Sequence, residues 1–252
     1  MWAFRLCAGA AGVASIEAVK KTKLAAITTG ALAGAATAAV ASYPLLWRQW
    51  CLTWGATAEE TGNAMPGDDL LAEPDMLSTR AITIEAPPSD VWPWLVQMGS
   101  GRGGAYTYDW VENLLGLDMH SVDEIVPELQ NLDLGDVLPV GSNGPALRVE
   151  VLRPEQALVL RSADGQWVWA FTLSPLPEGT RLVSRNRIAT PGASPPRRAF
   201  NFAVMEPGSL IMERKMLLGI KERAERLANT RCAGRSIEVR TGADVSAVDG
   251  QE

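Results

Sequence analysis

The chain holds one histidine, His120, set in Asp118-Met119-His120-Ser121 with Asp123 and Glu124 close behind. Imidazole is the side chain whose ordinary pKa lets it exchange a proton near neutrality. A neighbouring carboxylate can orient it, so this segment is the candidate for acid–base work. No Ser or Cys stands in a recognisable nucleophile motif around it, and an ordinary loop histidine accounts for the same residues. A second cluster is Arg102, Tyr106, Tyr108 and Trp110. Arg102 is suited to a ligand carboxylate, and Tyr106 and Tyr108 to the mouth of an apolar pocket with a few placed polar groups. The alternative is structural, with the aromatics anchoring a helix and Arg102 capping a carbonyl. Trp167, Trp169 and Phe171 alternate, which puts three aromatics on one face of a strand as a cavity wall or as core. Met205, Met212 and Met216 recur near helical spacing and suit either an adaptable ligand wall or core filling.

Gly99-Ser100-Gly101-Arg102-Gly103-Gly104 matches G-x-G-x-x-G, with Asp123 and Glu124 about twenty residues on. The context does not fit a dinucleotide fold, because a helical pattern precedes the glycines and no parallel βαβ unit follows. The stretch reads as a turn between helices, either a gate to a cavity or a plain connector. Cys7, Cys51 and Cys232 are far apart and form no C-x-x-C. With one histidine they cannot furnish a structural zinc site, so neither metal nor cofactor is expected. A Cys51–Cys232 disulfide is left open.

These residues need elements to position them. Thr79 to Glu85 alternates as a strand, stopped by Pro87-Pro88. Ser89 or Asp90 then caps a helix through Val91, Trp92, Leu95 and Val96. Asp109 starts a second amphipathic helix through Trp110, Val111, Leu114 and Leu115, closed by Gly116. Strands follow at 146–152, 157–162, 166–175 and 180–190. Their short turns force antiparallel pairing. The last strand divides into a Leu182, Ser184, Asn186, Ile188 face and an Arg181, Val183, Arg185, Arg187 face. The charged face is expected to be solvated, with Arg185 the candidate for an inward turn. A Pro-rich loop, 191–196, leads into a helical stretch, 197–228, interrupted near Pro207-Gly208. Its apolar stripe is Ile211, Met212, Met216, Leu217, Ile220, Ala224 and Leu227.

The N-terminal part is of another kind. Leu24 to Trp47 is a run of 24 residues without a charged side chain, long enough to span a bilayer as a helix. Trp47 and Trp50 sit where interfacial aromatics belong. Gly30 and Gly34 form a small-xxx-small ridge suited to a homodimer. The alternative is an export signal cleaved near Ala39-Val40-Ala41. Arg5, Lys20, Lys21 and Lys23 precede the run and only Arg48 closely follows it, which places the body outside the cytoplasm. The first 50 residues carry five Lys/Arg against one Glu, and the remainder 18 against 28. A body with net charge −10 repels phosphate backbones, so nucleic acid is excluded as a partner. The expected organisation is a basic segment (1–23), a transmembrane helix (24–47), a connector (48–78), a folded domain (79–228) and a disordered tail (229–252).

The phrase Arg80-Ala-Ile-Thr-Ile-Glu-Ala-Pro-Pro-Ser-Asp-Val-Trp-Pro-Trp-Leu resembles the opening strand and helix of the START-like, polyketide-cyclase/SRPBCC helix-grip superfamily. The continuation Val96-Gln-Met-Gly-Ser-Gly-Arg-Gly-Gly-Ala-Tyr-Thr-Tyr-Asp-Trp and the stretch Met205-Glu-Pro-Gly-Ser-Leu-Ile-Met-Glu-Arg are similar to a bacterial, membrane-tethered subgroup of unassigned activity. The resemblance spans about residues 79–228. It implies an α+β fold in which a curved antiparallel sheet grips a long C-terminal helix, with an apolar cavity between them. Members bind lipids, sterols, polyketides or plant hormones, and some cyclise polyketides. The expectation is therefore a single-pass membrane protein binding an apolar small molecule, lipid or polyketide-like, with Arg102, Tyr106, Tyr108, Trp167, Trp169, Met212 and Met216 at the site. The alternatives are a cyclase or dehydratase using His120 or a tyrosine, and a scaffold for an envelope protein. Binding is placed ahead of catalysis.

Overall fold

The computed structural model describes residues 34, 47–114, 116–141 and 146–248. The chain divides into two compact units, 1–48 and 49–252, and the sheet with its helices belongs to the second. Apart from Gly34 and Trp47, the apolar run 24–47 and the Gly30/Gly34 ridge lie outside the described residues. Among the described residues no helix is long and apolar enough to cross a membrane.

Two short helices come first, α1 (Arg48–Leu52) and α2 (Ala58–Gly62), then β1 (Met76–Ile84), α3 (Pro88–Val96) and α4 (Asp109–Leu114). The strands β2 (Val137–Pro139), β3 (Ala146–Arg153), β4 (Ala157–Ser162), β5 (Trp167–Leu176) and β6 (Gly179–Ile188) follow. Then come α5 (Pro195–Phe200), a π-turn over Asn201–Met205, and α6 (Glu206–Val248). All six strands form one antiparallel sheet in the order β1-β6-β5-β4-β3-β2. The first strand thus closes against the last, and α6 packs across β1 and α3. This is the helix-grip arrangement that the resemblance implies.

Strand alternation puts Ile84, Leu147, Val149, Leu158, Leu160, Phe171, Leu173 and Leu182 on the face toward α6. There they make the main core with Trp94, Leu95, Met216, Leu217, Ile220 and Ala224. The turn before α6 has a local cause. Pro207 has no N–H to return to the carbonyl one turn back, and the helix widens to a π-turn just before it. The helix then runs on to Val248, through the segment whose polar sequence reads as disordered.

Two local expectations are corrected and one open possibility is decided. In α3, Pro88 opens the helix and Pro87 occupies the N-cap position with no side-chain cap bond. Asp90 lies inside the first turn, buried, and accepts from Arg231 of α6. In α4 the apolar face does not turn inward: Trp110 and Leu114 are exposed, and Glu112 is the buried residue. Six residues make under two turns, so a neighbour's shape decides which side faces in. Cys51 is buried, Cys232 is exposed, and no disulfide joins them.

The largest departure is the stretch before β1. Residues 51–54 follow the β1 edge, the Cys51 carbonyl accepting from Arg80 and the Trp54 carbonyl from the Ala81 N–H, and residues 55–75 form a cover over the outer face of the sheet. Met65, Leu70 and Leu71 pack on Val159, Val168 and Ala170 to make a second small core. The Arg181, Arg185, Arg187 face lies beneath this cover, with Arg185 buried and Arg181 and Arg187 partly buried. Arg181 pairs with Glu60, and Arg185 and Arg187 share Asp68. Carbonyls of the cover at Gly55, Glu60, Asn63, Leu71 and Ala72 accept further donors of the three guanidiniums.

Where α6 crosses Tyr106, Gly219 makes the approach possible. A Cβ there would stand 2.6 Å from the Tyr106 carbonyl oxygen. Helix propensity favours Ala over Gly by about 1 kcal/mol, but overpacking against backbone costs about 1–3 kcal/mol. Gly219→Ala should therefore lower stability by about 1 kcal/mol net, measured by urea unfolding. A raised midpoint would mean that the helix shifts freely over Tyr106.

Candidate functional site

Between the inner face of the sheet and the first turns of α6 lies a cavity of about 350 Å³. The sheet supplies Met76, Ser78, Arg80, Leu147, Leu160, Trp167, Trp169, Asn186 and Ile188. The helix side supplies Met205, Ser209, Met212, Glu213 and Met216, and the flank between α3 and β2 adds Met98, Thr107, Glu112, Leu117, Met119 and Leu138. The exposed wall atoms are nearly all apolar.

Four polar side chains, Arg80, Ser184, Asn186 and Glu213, are turned onto one another, while Ser78 Oγ, Thr107 Oγ1 and Glu112 Oε2 are buried without a hydrogen-bond partner among the described residues. Arg80 is fully buried and pairs with Glu213 of α6. Its other donors reach the Cys51 carbonyl at 3.0 Å and Ser209 Oγ at 3.0 Å. Ser184 Oγ donates to Glu213 Oε1 at 2.7 Å, and Asn186 Nδ2 to Glu213 Oε2 at 3.2 Å. Burial pushes the Glu213 carboxyl up, while Arg80, Ser184 and Asn186 pull it down. The indoles are tied into the same network. Trp169 Nε1 donates to Ser184 Oγ at 3.0 Å and Trp167 Nε1 to Asn186 Oδ1 at 2.8 Å. The two rings stack with centroids 5.6 Å apart, and Phe171 continues the row behind Trp169 at 4.9 Å. Carbon faces are thereby presented to the cavity while the N–H groups are satisfied behind it. Glu112 borders the opposite flank. Burial raises its carboxyl, a rise that Thr107 opposes and Asp109 adds to.

Of the residues singled out in the sequence, Trp167, Trp169, Met205, Met212 and Met216 come together in this wall. Arg102, Tyr106, Tyr108 and His120 are not among its lining residues. Arg102 donates to the carbonyls of Met98, Val96 and Leu129, which ties the glycine-rich turn to the end of α3. Tyr106 is buried, with φ +58°, its hydroxyl donating to the Trp94 carbonyl at 3.0 Å and Arg223 over its ring. Burial pushes its phenol up. Tyr108 lies at the surface with Lys215 over its ring. His120 is exposed and pairs with Asp118 at 3.3 Å, whereas Asp123 pairs with Arg223 and Arg226.

The glycines of the turn have a packing role. Gly99 and Gly104 exchange backbone hydrogen bonds, Ser100 N–H reaches the Pro139 carbonyl, and Gly103 N–H reaches the Gln97 carbonyl. A Cβ on Gly104, which has φ +74°, would come within 2.7 Å of the Ser121 backbone. The loop is a clasp from α3 to β2, and the N–H groups of Gly99, Ser100, Arg102, Gly103 and Gly104 are used in holding it.

Arg80, Ser184, Asn186, Glu213 and Glu112 were not marked as site residues by the sequence. A signal for two of them was present. Arg80 shares its strand face with Ile82 and Ile84, and Glu213 falls at helical spacing with Leu217, Ile220 and Ala224. One positive and one negative charge thus lie on otherwise apolar inward faces.

No protein-family model and no curated protein matches the sequence. Solved structures match part of the chain at low identity. Protein MLL2253 from Mesorhizobium loti is 18% identical, with TM-score 0.36, over 60% of this chain and 98% of its own. The KanY protein is 14% identical, with TM-score 0.40, over 60% and 97%. The polyketide-cyclase-like protein Cgl2372 from Corynebacterium glutamicum is 20% identical, with TM-score 0.31, over 66% and 93%.

Proposed function

We propose that the chain binds an apolar small molecule, lipid or polyketide-like, within the cavity under α6, and does so tethered to a membrane by Leu24–Trp47. The observation that carries the reading is the wall itself. About 350 Å³ of space is bounded mostly by carbon: the Trp167 and Trp169 N–H groups and the Arg80, Ser184, Asn186 and Glu213 side chains bond to one another, and Ser78, Thr107 and Glu112 supply the few polar atoms left without a partner among the described residues. Small-molecule sites span roughly 300–1,000 Å³ and are mostly apolar with a few polar groups. Binding energy comes from burying ligand carbon, about 25 cal/mol per Å² before ordering costs. Met205, Met212 and Met216 let the helix side adjust to ligand shape. The charge bias around the run places the body outside the cytoplasm, and the Gly30/Gly34 ridge offers a homodimer contact within the membrane.

Leu160 sits across from Trp169 on the inner face, and a larger ring there would fill the space. Leu160→Trp should weaken binding of the apolar fluorophore N-phenyl-1-naphthylamine by at least tenfold, at a stability cost of about 1–3 kcal/mol. Trp169→Ala should change probe affinity while leaving binding intact. The measurement is energy transfer from tryptophan to bound probe, with circular dichroism as a check on folding. Wild-type affinity in a folded Leu160→Trp protein would place the probe elsewhere and remove the cavity as the site.

A further inference from the structure

The surface around one end of the cavity is largely apolar and cationic in a body that is otherwise acidic, with Asp75 beside Met76 accepting from the Thr190 N–H and hydroxyl and lying near Arg198. Met205 lines the cavity and is also 52% exposed, so it marks where the space reaches the surface. Met76 and Ile188, paired at the adjoining strand ends, line the same end. Around them large apolar side chains stand in solvent. Phe200, Val204 and Ile211 fall four and seven residues apart, which places them on a shared face of the helical segment. From α4, Trp110 is 70% exposed and Leu114 79%. The two groups adjoin, because Lys215, one turn beyond Ile211, lies over the ring of Tyr108 just before α4.

The charges of this segment are sorted by sign. Between residues 195 and 216 the cations are Arg197, Arg198, Arg214 and Lys215, all with access to solvent. The two carboxylates of the same stretch, Glu206 and Glu213, are buried. On α4, Glu112 is buried and Asp109 accepts from the Ser121 hydroxyl and N–H. Contiguous exposed apolar side chains at a cavity rim mark an interaction surface. Aromatic and aliphatic residues on a helix whose exposed charges are all positive are the pattern of a segment lying in a membrane interface.

We propose that residues 195–211 and the tip of α4 seat on an anionic lipid bilayer, so that the cavity end at Met205 opens onto the acyl-chain region. An apolar ligand then passes between bilayer and cavity without crossing water. The anionic headgroups meet Arg197, Arg198 and Lys215, and the net-negative remainder of the body is held away from the surface by the same field. The contact is separate from the Leu24–Trp47 tether and does not depend on what the cavity binds.

The test uses the full-length chain with a fluorescent amino acid replacing Val204, Ile211 or, as control, Glu178. Glu178 lies in the turn at the far end of the sheet, a strand length of about 27–30 Å from Met76. The protein is placed in phosphatidylcholine vesicles with or without phosphatidylglycerol, carrying nitroxide quenchers on the acyl chains. The labels at 204 and 211 should be quenched in the anionic vesicles and the label at 178 should not. Arg197→Glu with Arg198→Glu should abolish most of that quenching while the protein stays folded and vesicle-bound through its tether. Equal quenching at all three positions, or none at 204 and 211, would overturn the proposal. So would a blue-shifted but unquenched signal at 204 and 211 that depends on protein concentration, since a second copy would then cover the face.

Discussion

Glu213→Ala should destabilise the fold by about 3–5 kcal/mol, the range for removing one partner of a buried ion pair. Arg80 is fully buried on β1, and its charge is balanced by Glu213. Without the carboxylate, the guanidinium keeps its bonds to the Cys51 carbonyl and Ser209 but has no counter-charge in a low-dielectric site. Ser184 and Asn186 lose their acceptor at the same time, and these two hold Trp169 and Trp167. The variant should therefore also bind N-phenyl-1-naphthylamine more weakly, through a disordered indole wall. Urea unfolding measures the first effect and probe binding the second. The double variant Arg80→Met with Glu213→Leu removes both charges, and replacing a buried pair by apolar side chains is often neutral or stabilising. It should regain most of the lost stability. If it stays as unstable as Glu213→Ala, the loss comes from packing around α6 and not from the unpaired arginine.

This pair also shows how far the sequence could be read. Period-two alternation separates the faces of β5 and β6, and the structure keeps the two sets apart. The aromatic row of β5 and the methionines of α6 were visible because their types and spacing carry the signal within one element. Arg80 and Glu213 lie 133 positions apart; each interrupts an apolar face within its own element, but only the closure of β1 against β6 under α6 brings them together. Which face of β6 meets solvent was not legible either. The cover over the arginines is built from Gly, Pro, Asp and Glu, a composition that reads as linker, yet its carbonyls and carboxylates are the partners of buried Arg185 and of the partly buried Arg181 and Arg187. For α4, a hydrophobic pattern of under two turns did not fix an orientation, and Trp110 and Leu114 point outward at the cavity's rim.

Arg185→Ala should cost about 3–5 kcal/mol as well, on the opposite face of the sheet. Arg185 is buried, and its guanidinium makes a set of bonds only a planar fork can reach. Nε donates to Thr79 Oγ1 at 2.9 Å. Nη1 donates to Asp68 at 2.6 Å and to the Asn63 carbonyl at 3.0 Å, and Nη2 to the Glu60 carbonyl at 2.6 Å. These bonds hold the turn after α2 and the acidic turn at Asp68 against the sheet, so their loss leaves carbonyls facing a hole. Arg185→Lys supplies charge without the fork and should recover only part of the stability. Arg181→Ala should cost far less, about 1 kcal/mol, because its pair with Glu60 is reached by solvent. A distinct readout follows from the cover's position. Proteolysis between residues 60 and 75 should accelerate in Arg185→Ala under native conditions, ahead of cleavage in the strands. If the loss is only about 1 kcal/mol and cleavage is unchanged, then Met65, Leu70 and Leu71 on Val159, Val168 and Ala170 hold the cover by packing alone.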